Sequence, residues 1–252
     1  MLSKRLIACL DVRNGSVVKG INFEALRMAG DPAALARRYN SEGIDEVVVL
    51  DVTATIEGRR AFEDTIRAVS SELFIPLTVG GGIRSEADAA AAIDAGADKV
   101  GVNSAAIARP GLVGEIADRF GAQVLVLSLD VKRSPIARSG FLVTTHGGRT
   151  ETELDALDWA REAIERGVGE LLVNSIDADG TKRGFDLELV GAMHELSSVP
   201  LIASGGAGAV GDFAPAVAAG ADAVLAASVF HNGELTVGDV KSALRSEGVS
   251  VR

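Results

Sequence analysis

Short runs of Val, Ile and Leu alternate along the chain with longer Ala/Glu/Arg stretches whose apolar positions recur every three or four residues. The first kind predicts eight strands, at about 5–10, 46–51, 76–80, 99–102, 124–129, 170–174, 200–204 and 223–226. The second predicts helices over DPAALARRYNSEG, SEADAAAAIDAGA, PGLVGEIADRFGA, ELDALDWAREAIERG and VGDFAPAVAAGA. Eight β-then-α units in 252 residues predict an α/β fold, a closed (β/α)8 TIM barrel. The pattern also repeats. GIDEVVVLD at 43–51 returns as GVGELLVNS at 167–175, GGG at 80–82 as SGG at 204–206, and AGADKVGVNSAA at 95–106 as AGADAVLAASVF at 219–230, each 124 positions on. The chain therefore reads as one domain, 1–252, built from two duplicated (β/α)4 half-barrels of about 1–120 and 121–252. An open doubly wound sheet is the alternative, but it leaves the four-plus-four repeat unexplained.

In such barrels the chemistry lies at the carboxyl ends of the strands. Asp11 closes the apolar run LIACL, and Asp130 closes VLVLSL, 119 positions later. Side chains alternate faces along a strand. Arg5, Ile7, Cys9 and Asp11 thus share one face, as do Val126, Ser128 and Asp130. If those faces line the lumen, two carboxylates meet at the barrel mouth from opposite strands. A lone aspartate there is more often a loop cap or salt-bridge partner. A repeated pair suits general acid and base catalysis, in which unequal environments split the two pKa values.

Two strand–glycine–helix turns, TVGGGIRSEADA and IASGGAGAVGDF, occupy matched positions in the two halves. Glycines let backbone N–H groups approach an anion. The strand ends GVNSAA and LAASVF add Asn103, Ser104 and Ser228 as donors. One such turn is weak evidence, whereas two at matched positions predict a pair of phosphate pockets on opposite sides of the mouth. The long segment VRNGSVVKGINFEALRMAGDP after strand 1 predicts a lid carrying Lys19, and SIDADGTKRGFD after strand 6 predicts turn and substrate contacts around Asp177 and Asp179. At the other end of the barrel, Arg5, Glu46, Lys99 and Glu170 open their strands, so four charges of alternating sign meet at the floor. They read equally as a structural salt-bridge ring and as a gate on a route through the barrel.

A net charge of −10 argues against a general nucleic-acid or anionic-membrane binder, since phosphate backbones demand basic stripes. Cys9 is the single cysteine, so no intrachain disulfide forms. No apolar run approaches the ~18 residues of a membrane span, and MLSKRLIACLD turns charged too soon for a signal peptide. A cytoplasmic location is expected. His146, His194 and His231 have no metal-ligand spacing, so neither a metal nor an organic cofactor is expected, and Trp159 reads as packing.

Taken together, RLIACLDVRNGSVVKGINFEALR, TVGGGIRS, AGADKVGVNSAA, DADGTKRGFDLEL, IASGGAGAVGDF and AGADAVLAASVF closely resemble the cyclase subunit of imidazole glycerol phosphate synthase, from histidine biosynthesis. The resemblance runs essentially end to end. It implies an enzyme that takes ammonia from a separate glutaminase subunit, with which it forms a heterodimer. The ammonia cleaves and cyclises the bisphosphorylated ribulosyl-formimino-aminoimidazole carboxamide ribonucleotide, yielding imidazole glycerol phosphate and aminoimidazole carboxamide ribonucleotide. By position, the resemblance makes Asp11 and Asp130 the acid/base pair, with Asp130 assisting ammonia attack and Asp11 aiding ring closure. Lys19 matches the lid lysine; Gly82, Asn103 and Ser104 match one phosphate site; Asp179, Gly180, Gly206, Ala227 and Ser228 surround the other; Asn174 and Ser204 line the pocket. Arg5, Glu46, Lys99 and Glu170 match the gate of an ammonia tunnel, Thr78 would line that tunnel, and Asp98 lies on the glutaminase-docking face.

The chain departs from the family pattern in places. RTETELDAL replaces a glycine-rich stretch after strand 5, so Glu151 and Glu153 are expected to add negative charge near an anionic substrate. Met28, Asn232 and Ser128 also stand where other residue types are usual. The sister isomerase of the same pathway, a binding-only barrel and a purely structural partner of the glutaminase are the rival readings. The CLDV start and charged floor favour the cyclase over the first, and the retained aspartates and phosphate turns speak against the second.

Overall fold

Strand β1 (Arg5–Arg13) is the seam of a closed barrel. It pairs in parallel with β4 (Glu46–Asp51), after which β5 (Leu77–Gly80), β6 (Lys99–Val102), β7 (Leu125–Arg133), β10 (Glu170–Ser175), β11 (Leu201–Ser204) and β12 (Ala223–Ala226) follow in order, and β12 returns to β1. The structure, a computed structural model, describes residues 3–21, 24–52 and 63–252, and of 19–21 and 24–29 the backbone alone. Eight parallel strands match the sequence expectation, with bounds that differ by a few residues.

Four further strands form two antiparallel hairpins. β2 (Ser16–Ile21) and β3 (Glu24–Gly30) follow β1, while β8 (Phe141–Thr145) and β9 (Thr150–Asp155) follow β7. The segments read from sequence as a lid and a loop are therefore paired strands. The helix expected from Glu153 starts later, because Asp155 caps it by accepting from the Leu157 and Asp158 amides. Among the described residues the α-helices are α1 (Pro32–Glu42), α2 (Glu63–Ser70), α3 (Glu86–Asp94), α4 (Ser104–Ala108), α5 (Gly111–Phe120), α6 (Ala156–Glu165), α7 (Leu187–Leu196), α8 (Phe213–Ala218), α9 (Ser228–His231) and α10 (Val237–Ser246). Both halves carry a hairpin after their first barrel strand and two helices after their fourth, as a duplicated half requires. The extra residues of the second half lie in the 134–140 link before β8.

Both faces of each barrel strand are buried, which is why the strands read as near-continuous apolar runs. Leu6, Val47, Val79, Leu127, Leu171 and Val224 face the helices in one large core that also takes in Trp159. Ile7, Cys9, Val48, Val126, Leu172, Ile202, Ala223 and Leu225 fill the lumen in a second core. The parity read from the sequence for β1 and β7 is thus the lumenal one. The strands are strongly staggered: Asp130 pairs with Asn174, Asn174 with Ser204, Ser204 with Leu225, Leu225 with Ile7, and Ile7 with Glu46. One hydrogen-bonded rung therefore runs from the mouth to the floor, the geometry of a tilted barrel of this class.

A repeated device fixes the strand starts. Asp45 Oδ2 accepts from the Leu6 amide at 2.8 Å, Asp98 Oδ2 from Leu77 at 2.8 Å, and Asp222 Oδ2 from Leu201 at 3.1 Å. Each carboxylate satisfies a donor at the edge of the strand before its own. Gly169 occupies the fourth such position, where a Cβ would lie 2.0 Å from the Ala122 carbonyl oxygen. Among the described residues no helix is long and apolar enough to cross a membrane.

Candidate active site

The carboxyl ends of β1 and β7 bring Asp11 and Asp130, both buried, to one central cavity of about 40 Å³. Cys9, Ser128, Asn174, Asp179 and Ser204 share its lining. Asp130 sits in a designed set of donors. Asn103 Nδ2 donates to its Oδ2 at 2.9 Å and Asn174 Nδ2 to its Oδ1 at 3.1 Å. Ser204 Oγ in turn donates to Asn174 Oδ1 at 3.2 Å, which orients that amide with its N–H groups toward Asp130. Burial pushes the Asp130 carboxyl up to about 6, helped by the nearby Asp179 and Asp11 charges and opposed by the two asparagine donors. A carboxylate poised there is a far better base at neutral pH than an ordinary aspartate. Asp11 has the Cys9 thiol as a donor, with Sγ 3.6 Å from Oδ1.

Two further cavities flank the centre. The first, about 510 Å³, is lined by Gly80–Arg84 from the end of β5, Asn103–Ala105 after β6, and Asp51 at the end of β4. The second, about 30 Å³, is lined by Asp179, Gly180, Ser204–Ala207 from the end of β11 and Leu225–Ser228 from the end of β12. Leu50, Ser128 and Asp130 belong to both the first and the central cavity; Asp179, Ser204 and Leu225 belong to both the second and the central one. A continuous track therefore crosses the mouth from Gly82 to Gly206, passing between the aspartates. Its two ends are repeat mates: Gly82 with Gly206, Asn103 with Ala227 and Ser104 with Ser228 each stand 124 positions apart.

The glycines are needed for their backbone. Gly81 has φ 90° and packs against Asp51, whose carbonyl oxygen would be 2.4 Å from an added Cβ. Gly206 has φ 105°, and its Cβ would meet the Gly184 oxygen at 2.0 Å. Gly206→Ala must shift that turn. It is expected to cost about 1–3 kcal/mol in urea unfolding and to weaken ligand binding at the second cavity; an unchanged unfolding midpoint would refute the strain.

At the floor, the four charges form a closed ring. Arg5 Nη1 donates to Glu46 at 2.8 Å and Nη2 donates to Glu170; Lys99 Nζ reaches Glu46 at 3.1 Å and Glu170 at 2.8 Å. Thr78 Oγ1 donates to Glu46 at 2.7 Å. Between ring and mouth lies the apolar lumenal layer.

The remaining residues singled out in the sequence take the following places. Asp98 is exposed on the floor side and holds the Leu77 amide. Asp177 accepts from the Arg133 amide at 2.7 Å, a turn role, whereas Asp179 faces the track. Glu151 and Glu153 line none of the three cavities, and Glu151 pairs with Lys132 at 2.5 Å, so neither carboxylate forms part of a pocket wall. Alternation along β9 turns Thr152 to the cavity instead. Lys19 and Met28 lie outside the described side chains. Asp51, Arg84, His146 and Arg149 were missed. Asp51 closes an apolar run as Asp11 and Asp130 do, and that signal could have found it.

The family model for histidine biosynthesis proteins matches residues 5–236. The imidazole glycerol phosphate synthase subunit HisF of Leifsonia xyli is 69% identical over 248 residues, covering 98% of both chains. The protein of the same description from Clavibacter michiganensis is 65% identical over 251 residues, covering 100% of this chain and 95% of the relative. That of Mycobacteroides abscessus is 58% identical over 255 residues, covering 100% and 99%. With such likeness over its full described length, the chain belongs to the histidine biosynthesis protein family, within the group of imidazole glycerol phosphate synthase HisF subunits.

Proposed function

We propose that this barrel is the ammonia-dependent cyclase of imidazole glycerol phosphate synthase. Its substrate would be the bisphosphorylated ribulosyl-formimino-aminoimidazole carboxamide ribonucleotide, its products imidazole glycerol phosphate and aminoimidazole carboxamide ribonucleotide. The observation that carries this reading is the track across the mouth: two glycine-lined pockets joined through a pair of buried carboxylates. A ligand with a phosphate at each end spans it, with one phosphate at Gly82, Asn103 and Ser104 and the other at Gly180, Gly206, Ala227 and Ser228. Its reacting middle then lies between Asp11 and Asp130. Lys19, on the β2–β3 hairpin, is assigned to the same substrate.

Ammonia is the nucleophile and attacks as the neutral amine. Asp130, ionised above about 6, takes the proton that the amine sheds on bonding to carbon. Asp11 on the opposite strand handles the proton that moves on ring closure. The asparagine donors keep both Asp130 oxygens in place, so the base needs little reorganisation during the step.

The partner is a glutaminase subunit docking at the floor face near Asp98, in the cytoplasm. Ammonia enters through the ring of Arg5, Glu46, Lys99 and Glu170 beside Thr78, then crosses the apolar layer. That layer favours a small uncharged molecule over ammonium.

The test is turnover of the bisphosphate by the purified chain with ammonium salt and no glutaminase. Measured at constant free ammonia, kcat/KM is expected to rise with pH through about 6 and then level, as the Asp130 base ionises. A profile flat from pH 5 to 8 would remove Asp130 from that role. Absence of both binding and turnover would sink the cyclase.

A further inference from the structure

The barrel order carries each half's hairpin beside the other half's pocket. β7 adjoins β6, so the β8–β9 hairpin of the second half stands over the cavity that β5 and β6 build in the first. Thr145, His146, Gly147 and Arg149 of its turn form one wall of that cavity, and Arg84 stands on another. The two carboxylates of the lining, Asp51 and Asp130, are buried at the inner end, while Arg84 and Arg149 are exposed at the rim. The field therefore favours a ligand whose anionic end points outward.

The turn is held in shape. His146, Gly147 and Gly148 are left-handed in succession, at φ 56°, 65° and 82°. An added Cβ on Gly148 would come within 2.8 Å of Ile176 Cδ1, so the turn is packed down on the loop after β10. It is also wired to the pocket. The His146 amide donates to Ser104 Oγ at 3.2 Å, which leaves the hydroxyl hydrogen of Ser104 to be given to a ligand. Arg149 Nη1 leans back on the His146 carbonyl at 3.4 Å, keeping its guanidinium at the rim.

We propose that the β8–β9 turn is a clamp for the phosphate monoester end of the substrate, in which Arg149 supplies charge and the His146 amide sets the Ser104 donor. The inference rests on the reading of the first pocket as a phosphate site. It makes Arg149 a specificity-determining residue supplied by one half to the pocket of the other. A planar fork suits this position, because it can meet two phosphate oxygens at once.

The experiment is a titration of the full chain with inorganic phosphate, followed through the backbone amide resonances of Ser104 and Gly147. Both are expected to shift saturably. Arg149→Gln should weaken the apparent Kd roughly five- to tenfold, and Arg149→Lys, which restores the charge but not the fork, should recover only part of the loss. Thermal unfolding of both variants should match the parent, since Arg149 is an exposed turn residue. An unchanged Kd in Arg149→Gln, or no response at Gly147 in the parent chain, overturns the clamp. The titration needs no turnover. If phosphate responds as described but the bisphosphate is neither bound nor converted, the cyclase reading falls and the clamp stands.

Discussion

Asp130→Asn is expected to lower ammonium-driven kcat by about 10³-fold, in the middle of the range for loss of a positioned general base, while the bisphosphate still binds. The asparagine keeps one acceptor for the Asn174 amide, and Asn103, whose buried Oδ1 has no partner, can turn its own amide to accept from the new NH2 group. The same change should stabilise the fold at neutral pH. The folded-state pKa of Asp130, about 6, lies above the ordinary aspartate value of 3.8. Protonation is thus easier in the folded chain. The favourable contribution is fully present below the unfolded value and is lost as pH rises through the folded one. An asparagine never ionises and escapes that loss. Its stability relative to the parent should therefore grow between pH 4 and pH 7, by up to about 3 kcal/mol for a shift of this size. Urea unfolding at several pH values measures it. Opposite signs for activity and stability at one residue are what a strained catalytic base produces and a structural carboxylate does not. Turnover within tenfold of the parent, or a stability difference flat with pH, would return Asp130 to a structural role.

Much of this site could be read from strand ends and parity. Once Arg5, Ile7, Cys9 and Asp11 are placed on one face, the lumen, the mouth and the floor follow, because each barrel strand has only two faces and both are buried. The 124-residue repeat then pairs Gly82 with Gly206 and Glu46 with Glu170 without further input. The hairpins were less legible. TETELD alternates with period two, but its apolar partner face is small and its outward residues are charged, so it reads like a polar loop running into a helix. Its strand character comes from pairing with the fully buried β8, a tertiary contact that local pattern does not encode. For the same reason His146 and Arg149 could not be assigned to a pocket whose glycine turn and Asn103–Ala105 segment lie some forty or more positions upstream. The unequal sizes of the two cavities were also invisible, since the repeat predicts likeness and the inequality lies in loop conformation.

The floor ring invites the second large effect. Glu46→Gln is expected to destabilise the chain by about 3–5 kcal/mol in urea unfolding, as breaking a buried ion network does. Glu46 is 1% exposed and accepts from Arg5, Lys99 and Thr78 together, so its neutral replacement leaves two cations sharing Glu170 alone. Glu46→Leu combined with Lys99→Met removes one charge of each sign and keeps the Arg5–Glu170 pair. That double variant should lie well above the sum of the two single losses, since the residues are in direct contact. Additive losses, or a cost below about 1 kcal/mol for Glu46→Gln, would show that the ring is solvated and weak. Well-packed apolar residues in these four positions would be as stable as the ring or more so. Stability alone therefore gives no reason for two carboxylates and two cations below an apolar lumen, and the proposed ammonia route supplies one. The double variant separates the two roles. If the ring gates ammonia, turnover with free ammonium persists in the opened barrel, because ammonia also reaches the track from the mouth, while turnover driven by glutamine through the partner subunit changes. Equal changes in both would leave the ring a support for the barrel floor.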